Sequence, residues 1–381
     1  MKFVYYVGFY HGKNCKYRKK CDENIAGSMK MDFIISSLKK LGYKVILLSI
    51  SIDNSGGYKK EERIVVDEQE EHIYLPYFSM KLGRRKIGAV DSAIRALYRF
   101  GKQNFKKDDK VIVYHSLAYG NVFKKLHKKC DIKLITQVEE LYCLSVLDQQ
   151  NKDFVEKEEA MFMGSDGLLL INDVIVEQYA KDKPYAVSYG NYKVFTDKEI
   201  RIDDQNVGIV YTGIINEDRG IFRLIEAMKY LPQKYTLHVL GFGSDNHMER
   251  FQKAIRDFNH NQVKERIIFY GTKTGKEYTD FLSNYQIGVS LMDTSNEIGM
   301  NAFPSKIMAY LGHSLLVVSS KSECIVKSKV ADVLYLCENN PEDIAKTIES
   351  IPVGVHMSPS NHLRELETQF INDLDNVLKT V

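Results

Sequence analysis

The chain is 381 residues long, room for two domains of ordinary size, and its 44% hydrophobic and 27% charged residues support sizeable cores and exclude a disordered chain. Its longest apolar runs, such as Val45 to Leu48 and Gly167 to Ile171, are far too short to span a bilayer, and six cysteines at 15, 21, 130, 143, 324 and 337 lack the close pairing of a zinc site, so they read as reduced thiols. The net charge of +3 conceals an asymmetry: residues 1–196 hold 33 Lys+Arg against 25 Asp+Glu, and the remainder 20 against 25.

In chain order, Phe3 to Val7 is an apolar run that predicts a first strand. His11, Lys13 and Asn14 follow it at once, so no secretory signal is expected here. Met29 to Leu41 has helical apolar spacing and stops at Gly42. Val45 to Ile50 predicts a strand, Ile87 to Phe100 a helix, and Val111 to Tyr114, Leu134 to Val138 and Leu168 to Ile171 buried strands, with a helix over Asp153 to Met163. Thr196 to Asn206 is polar and reads as a linker. The pattern then restarts: strand Gly208 to Thr212, helix Ile221 to Leu231, strand Thr236 to Leu240, helix His247 to Phe258, strand Ile267 to Tyr270 and helix Lys276 to Asn284. Strand Ile287 to Leu291, helix Ser305 to Leu311 and strand Leu315 to Ser319 complete it, and Leu363 to Leu378 predicts a final helix charged on one face.

This alternation predicts an α/β protein of two Rossmann-like, doubly wound domains facing across a cleft. The expected boundaries are residues 1–196 and residues 206–362. Neither a Gly-x-Gly-x-x-Gly after the first strand nor a P-loop is present, which argues against a dinucleotide enzyme and an ATPase.

The second half carries the informative motifs. Strand Gly208 to Thr212 runs into Gly213, and Asn216-Glu217-Asp218-Arg219-Gly220 opens a helix. Backbone N–H groups and Arg219 there suit a diphosphate; a plain polar turn capped by Asp218 is the alternative. Gly241-Phe242-Gly243 and Phe269-Tyr270-Gly271-Thr272 end the next two strands, where glycine admits a ligand or simply makes a turn. Phe303-Pro304-Ser305-Lys306-Ile307-Met308-Ala309-Tyr310-Leu311 places Pro304 at a helix start, with Ser305 able to cap. Lys306 then opposes the helix dipole unless an anion is bound.

Tyr-Thr-Gly…Arg-Gly, Leu-Gly-Phe-Gly, Phe-Tyr-Gly-Thr and Phe-Pro-Ser-Lys-Ile-x-x-Tyr-Leu, in that order, resemble the glycosyltransferase B-fold, in its family 4 and family 1-like group of polysaccharide-biosynthesis transferases. The first half resembles it more loosely, through Ala26-Gly27-Ser28, Tyr114-His115 and Val138-Glu139-Glu140-Leu141-Tyr142. The resemblance implies a carboxy-terminal donor domain binding a nucleotide-sugar through Gly213, Arg219, Gly243, Thr272, Pro304, Ser305 and Lys306, with Gly27 of the first half as a further donor contact. The final helix, within 363–381, is implied to cross back to the first domain. It implies an acceptor domain with a sugar-contacting histidine at His115 and acceptor contacts at Glu139 and Glu140. His115 also reads as a structural loop histidine, and the two glutamates as solvated charges. Two departures stand out. Ile214 replaces an arginine, and the family's Glu-x7-Glu pair falls on Asn301 and Ala309, leaving Glu297 as a substitute carboxylate beside Asn301.

The function expected is transfer of a hexose from a nucleotide-sugar, a UDP-sugar first, to a saccharide or lipid-linked acceptor with retention, in surface polysaccharide or glycoconjugate synthesis. His115, Glu297 and Asn301 would stand at the reacting centre, with no metal or other cofactor. The alternative, motivated by the missing Glu pair, is a non-catalytic subunit that binds acceptor or a partner transferase. A sugar-nucleotide epimerase of the same fold lacks an evident catalytic cluster. The basic half, with Lys16, Arg18, Lys19 and Lys20, Arg84, Arg85 and Lys86, and Lys124, Lys125, Lys128 and Lys129, reads as a solvated surface or as attraction to anionic lipid or a phosphorylated acceptor. The expected location is cytoplasmic, peripheral at the inner face of the membrane. Nucleic acid is not expected, since no recognised binding motif accompanies the charge.

Overall fold

The computed structural model describes residues 2–12, 15, 25–53, 56–82, 85–141, 152–180, 182–294 and 302–381, without the side chains of 25–26, 81–82, 85–87 and 152–154. The chain divides into two compact units. Unit 1 holds Met1–Ile171, Ile175–Ser188 and Gln369–Val381; unit 2 holds Asn172–Val174 and Tyr189–Thr368.

The first stretch of chain forms β1 (Phe3–Gly8), α1 (Ile25–Lys40), β2 (Lys44–Ser49), β3 (Gly57–Lys59), β4 (Glu62–Asp67), β5 (Glu70–Tyr74), β6 (Tyr77–Leu82) and β7 (Arg85–Ile87). There follow α2 (Ala89–Asn104), β8 (Lys110–Tyr114), α3 (Gly120–Cys130), β9 (Lys133–Val138), α4 (Lys152–Met163), β10 (Gly167–Leu170), α5 (Asp173–Tyr179) and β11 (Tyr185–Val187). An eight-stranded sheet runs β11-β10-β9-β8-β1-β2-β5-β4, parallel except for β4 against β5. Its central strands are apolar throughout: Val4, Tyr6, Val7, Val111, Ile112 and Val113 are fully buried, as strands covered on both faces must be. The order reverses between β1 and β8, so the carboxyl ends of those strands form the unit's switch point. A second antiparallel sheet, β3-β6-β7, lies on α2 through β6.

Unit 2 continues with β12 (Ile200–Ile202), β13 (Val207–Ile214), α6 (Ile221–Ala227), β14 (Tyr235–Phe242), α7 (Asp245–His260), β15 (Ile267–Phe269), α8 (Gly275–Leu282) and β16 (Ile287–Ser290). It ends with α9 (Ser305–Gly312), β17 (Leu316–Ser320), α10 (Glu323–Val326), β18 (Leu334–Cys337), α11 (Pro341–Glu349), β19 (Gly354–His356) and α12 (Ser360–Thr380), whose last part belongs to unit 1. Six parallel strands run β15-β14-β13-β16-β17-β18, the 3-2-1-4-5-6 order of a nucleotide-binding sheet. Ile209, Tyr211, Leu237, Val239, Ile287 and Val289 form its core with Leu224, Phe251 and Ile344 from the helices. The switch point lies between β13 and β16.

Several expectations shift. The first helix begins at Ile25, so Gly27 sits buried inside its first turn and not ahead of it. The second begins at Ala89 behind Gly88, because Ile87 is taken by β7. The stretch read as a linker contains β12, which pairs antiparallel with β19. Cys15, Cys130, Cys324 and Cys337 carry no disulfide. Among the described residues no helix is long and apolar enough to cross a membrane.

Candidate functional site

Unit 2 gathers its expected donor residues at the switch point. β13 ends at Gly213, whose φ of +128° only glycine adopts readily; a side chain there would collide with Cε and Nζ of Lys306. The loop beyond is tied down twice. The Asn216 side chain accepts from the Arg219 amide at 3.0 Å, and the Asp293 amide, just past β16, donates to the Asp218 carbonyl at 2.7 Å. α6 is headed by Gly220 at φ +70°, where a side chain would strike Leu291, so Asp218 is not the cap.

Lys306 reaches this loop from α9. Pro304, not Ser305, is the residue before the helix, so no side chain caps its first turn, and Ser305 stands exposed as the first helical residue. The half-buried Lys306 ammonium lies 4.4 Å from the centroid of the Tyr211 ring, whose hydroxyl donates to the Ile214 carbonyl at 2.7 Å. Burial, and then the nearby Arg219 charge, pull the Lys306 pKa from 10.5 down to about 7. Among the described residues neither cation has a carboxylate within ion-pair distance. Two like charges beside uncapped helix amides, at the carboxyl end of a Rossmann sheet, form a place for an anion. Tyr211 is a member the sequence did not disclose, since it reads there as one more apolar strand residue.

The remaining donor positions are more peripheral. A Cβ at Gly243 would stand 2.6 Å from the Ile215 carbonyl, so this glycine is required by backbone packing. Thr272 is exposed on the turn after β15. Glu297 and Asn301 lie outside the described residues, as do Lys16, Arg18, Lys19, Lys20 and Arg84. Lys124, Lys125, Lys128 and Lys129 are exposed on α3.

In unit 1 the residues at strand ends form a buried polar network. His115, 2% exposed, directs Nδ1 to the Glu140 carbonyl at 3.2 Å and Nε2 to the Glu158 carboxylate at 3.2 Å, with Phe162 edge-on at 5.0 Å. Burial pulls the imidazole pKa down to about 4. The expected open, sugar-facing histidine is therefore found enclosed, holding the Glu140 backbone. Glu140 itself is exposed. Glu139 accepts from the Gln137 amide at 2.6 Å and stands 3.7 Å from Lys30, which donates to the Ser188 carbonyl and hydroxyl at 2.7 and 2.9 Å. Tyr6 donates to the other end of Gln137. Burial raises the Glu139 carboxyl and lowers the Lys30 ammonium. Lys30 went unnoticed, although its place four residues before Ile34, on the buried stripe of α1, was the available signal.

No protein-family model and no curated protein matches this sequence significantly. Solved structures do match over its whole length. A UDP-forming α,α-trehalose-phosphate synthase from Burkholderia xenovorans, in complex with glucose-6-phosphate, is 9% identical with a TM-score of 0.63, covering 100% of this chain and 99% of its own. Sucrose-phosphate synthase from Thermosynechococcus elongatus is 12% identical, TM-score 0.62, covering 99% and 95%. A trehalose-6-phosphate protein from E. coli bound with UDP-2-fluoro glucose is 9% identical, TM-score 0.62, covering 100% and 96%. The fold of this chain is thus the fold of these synthases, the pair of Rossmann-like units that the motif order implied.

Proposed function

We propose that this protein is a glycosyltransferase whose donor is a nucleotide-activated hexose, a UDP-sugar first, with the diphosphate held in unit 2 by Lys306, Arg219 and the first-turn amides of α9. The observation that carries this reading is the convergence of Lys306 and Arg219 on the Gly213 turn with no carboxylate among the described residues to neutralise them. It is supported by the UDP-2-fluoro glucose bound to one structure of the same fold. When the bond from the anomeric carbon to the diphosphate oxygen breaks, negative charge collects on the leaving diphosphate. Two fixed cations and helix amides stabilise that charge without a metal. The acceptor, a saccharide or lipid-linked saccharide, belongs to unit 1 near Glu139 and Glu140, and transfer proceeds with retention in surface polysaccharide or glycoconjugate synthesis. The protein works in the cytoplasm, peripheral to the membrane.

A second reading has one observation in its favour. Ala309, one turn past Lys306 on α9, stands where the family resemblance implies a glutamate on the ribose. A chain without that carboxylate fits a non-catalytic subunit that binds acceptor or a partner transferase. Calorimetric titration with UDP and a hydrolysis assay on UDP-hexoses decide. Lys306→Ala and Arg219→Ala are each expected to weaken UDP binding by about 1.5–3 kcal/mol, the range for a hydrogen bond to a charged group. Unchanged affinity in both removes the donor site. Acceptor binding without donor turnover in the unaltered protein supports the second reading.

A further inference from the structure

The loop that carries Arg219, residues 215–220, is held at its ends by backbone contacts. The Ile215 amide donates to the Phe242 carbonyl at 2.8 Å, and the Gly220 amide closes on the Glu217 carbonyl at 3.1 Å. One side chain of the loop reaches further. The Glu217 carboxylate is shared by two cationic residues of α7: Oε2 lies 2.9 Å from Nε2 of His247, and Oε1 accepts from the Arg250 guanidinium.

Both partners are themselves placed. Ser244 caps α7 by accepting from the His247 amide, and the same hydroxyl lies 2.9 Å from Nδ1 of His247, which leaves Nε2 for Glu217. Arg250, three residues further along α7 and so on the same face, lays its guanidinium 5.1 Å from the centroid of the Phe222 ring on α6. One loop carboxylate therefore joins the loop to α7, and Arg250 joins α7 to α6.

Stability does not account for this arrangement. The side chains of His247, Glu217 and Arg250 are 31%, 46% and 53% exposed, and ion pairs so open to water contribute little to folding. The neighbouring charge does account for it. Arg219 is two residues from Glu217, and after burial its charge is the second cause that lowers the Lys306 pKa. Two cations with no anion between them push apart. Lys306 stands on a helix and Arg219 on a loop, so the loop is the part that gives way. We infer that Glu217, clamped by His247 and Arg250, is a positioning residue for the anion site: it holds residues 215–220 against that repulsion and keeps Arg219 in place for the diphosphate. This rests on the diphosphate site proposed above and adds what keeps it assembled. A loop ordered in advance spares binding the cost of ordering it.

Charge and position predict opposite signs. Glu217 is negative and lies near the place of an anion, so by Coulomb's law alone its removal tightens UDP binding. Its loss as a positioning residue loosens it. In calorimetric titration of the full chain with UDP, Glu217→Ala should weaken binding by about five- to tenfold, the cost of ordering one or two side chains and their loop. The thermal midpoint should hold, since the pairs are exposed. In an Arg219→Ala background, Glu217→Ala should change UDP affinity by less than about twofold, because no guanidinium remains to be placed. In the unliganded Glu217→Ala protein, amides of residues 216–220 should exchange faster than in the unaltered chain. Unchanged or tighter UDP binding in Glu217→Ala, with Arg219→Ala still weakening it, overturns the positioning role and leaves the diphosphate site standing. Equal losses in both backgrounds overturn it too, since Glu217 would then act without Arg219. Weakening by His247→Ala or Arg250→Ala with none from Glu217→Ala assigns those cations to the anion itself and overturns the clamp. If neither Arg219→Ala nor Lys306→Ala weakens UDP binding, the diphosphate site falls and the clamp with it.

Discussion

Lys306 carries two penalties that a bound anion removes: burial of its ammonium and repulsion from Arg219. Together they lower its pKa from 10.5 to about 7 in the folded protein. Between those values the unfolded chain holds a proton that the folded chain has released, so stability rises with pH across that window, and below pH 7 the cost is present in full. Lys306→Met should therefore raise the thermal midpoint of the unliganded protein at about pH 6, with the gain shrinking toward about pH 10. Nucleotide binding has the opposite dependence. A diphosphate restores the lysine proton, so affinity falls as pH rises above 7 and binding takes up a proton, measured as a buffer-dependent enthalpy. A midpoint indifferent to pH in both proteins would show that Lys306 is freely solvated. The sequence disclosed the conflict, a lysine in the first turn of a helix, but not Tyr211 beneath it, because a tyrosine in a buried strand looks like any other core residue. His115 shows the converse. Its place after a strand was legible, but Glu158, 43 positions away, encloses the ring, and no local pattern announces so distant a partner.

At the scale of elements, the strands that read clearly are those of the two parallel sheets, where burial on both faces leaves continuous apolar runs such as Leu168 to Leu170. The antiparallel excursion from β3 to β7 escaped notice because its short strands mix charges with apolar residues, and β4 of the ERIVVD stretch even exposes Val65 at 74%. α3 was legible only as a lysine cluster. Its buried stripe of Val122, Phe123 and Leu126 is narrow beside four exposed lysines. The final helix was visible in its spacing, and its packing gives it weight: Leu374, Val377 and Leu378 are fully buried, and a Cβ on Gly167 of β10 would lie 3.0 Å from Val377. Leu374→Ala should cost about 2–5 kcal/mol in denaturant unfolding, as a buried leucine does, while UDP affinity stays unchanged. A loss below about 0.5 kcal/mol, the range of surface substitutions, would mean that this part of α12 is not seated on unit 1.

For the whole molecule, both units reverse strand order at one point, β1 beside β8 and β13 beside β16, and the chemistry-bearing residues collect at those two places. That clustering follows from the topology: loops at the carboxyl ends of adjacent strands diverge to opposite faces and leave a crevice. Gly213, Arg219 and Lys306 all belong to unit 2, whose hydrophobic core is its own. A ligand stabilises what it binds by RT ln(1 + [L]/Kd), about 2.7 kcal/mol at a hundredfold excess over Kd, or close to a hundredfold in opening equilibrium. UDP without a sugar should exert that effect on unit 2. In hydrogen exchange, amides of residues 213–222 and 304–312 should slow first, and the slowest amides of β13, β14 and β16, which exchange by opening of that unit, should slow by up to about a hundredfold. The central amides of β1, β8 and β9 are expected to keep their rates. Lys306→Ala at the same UDP concentration should show neither change. Protection confined to unit 1 would relocate the nucleotide to the Lys30–Glu139 network, and the two cations of unit 2 would then need another anion.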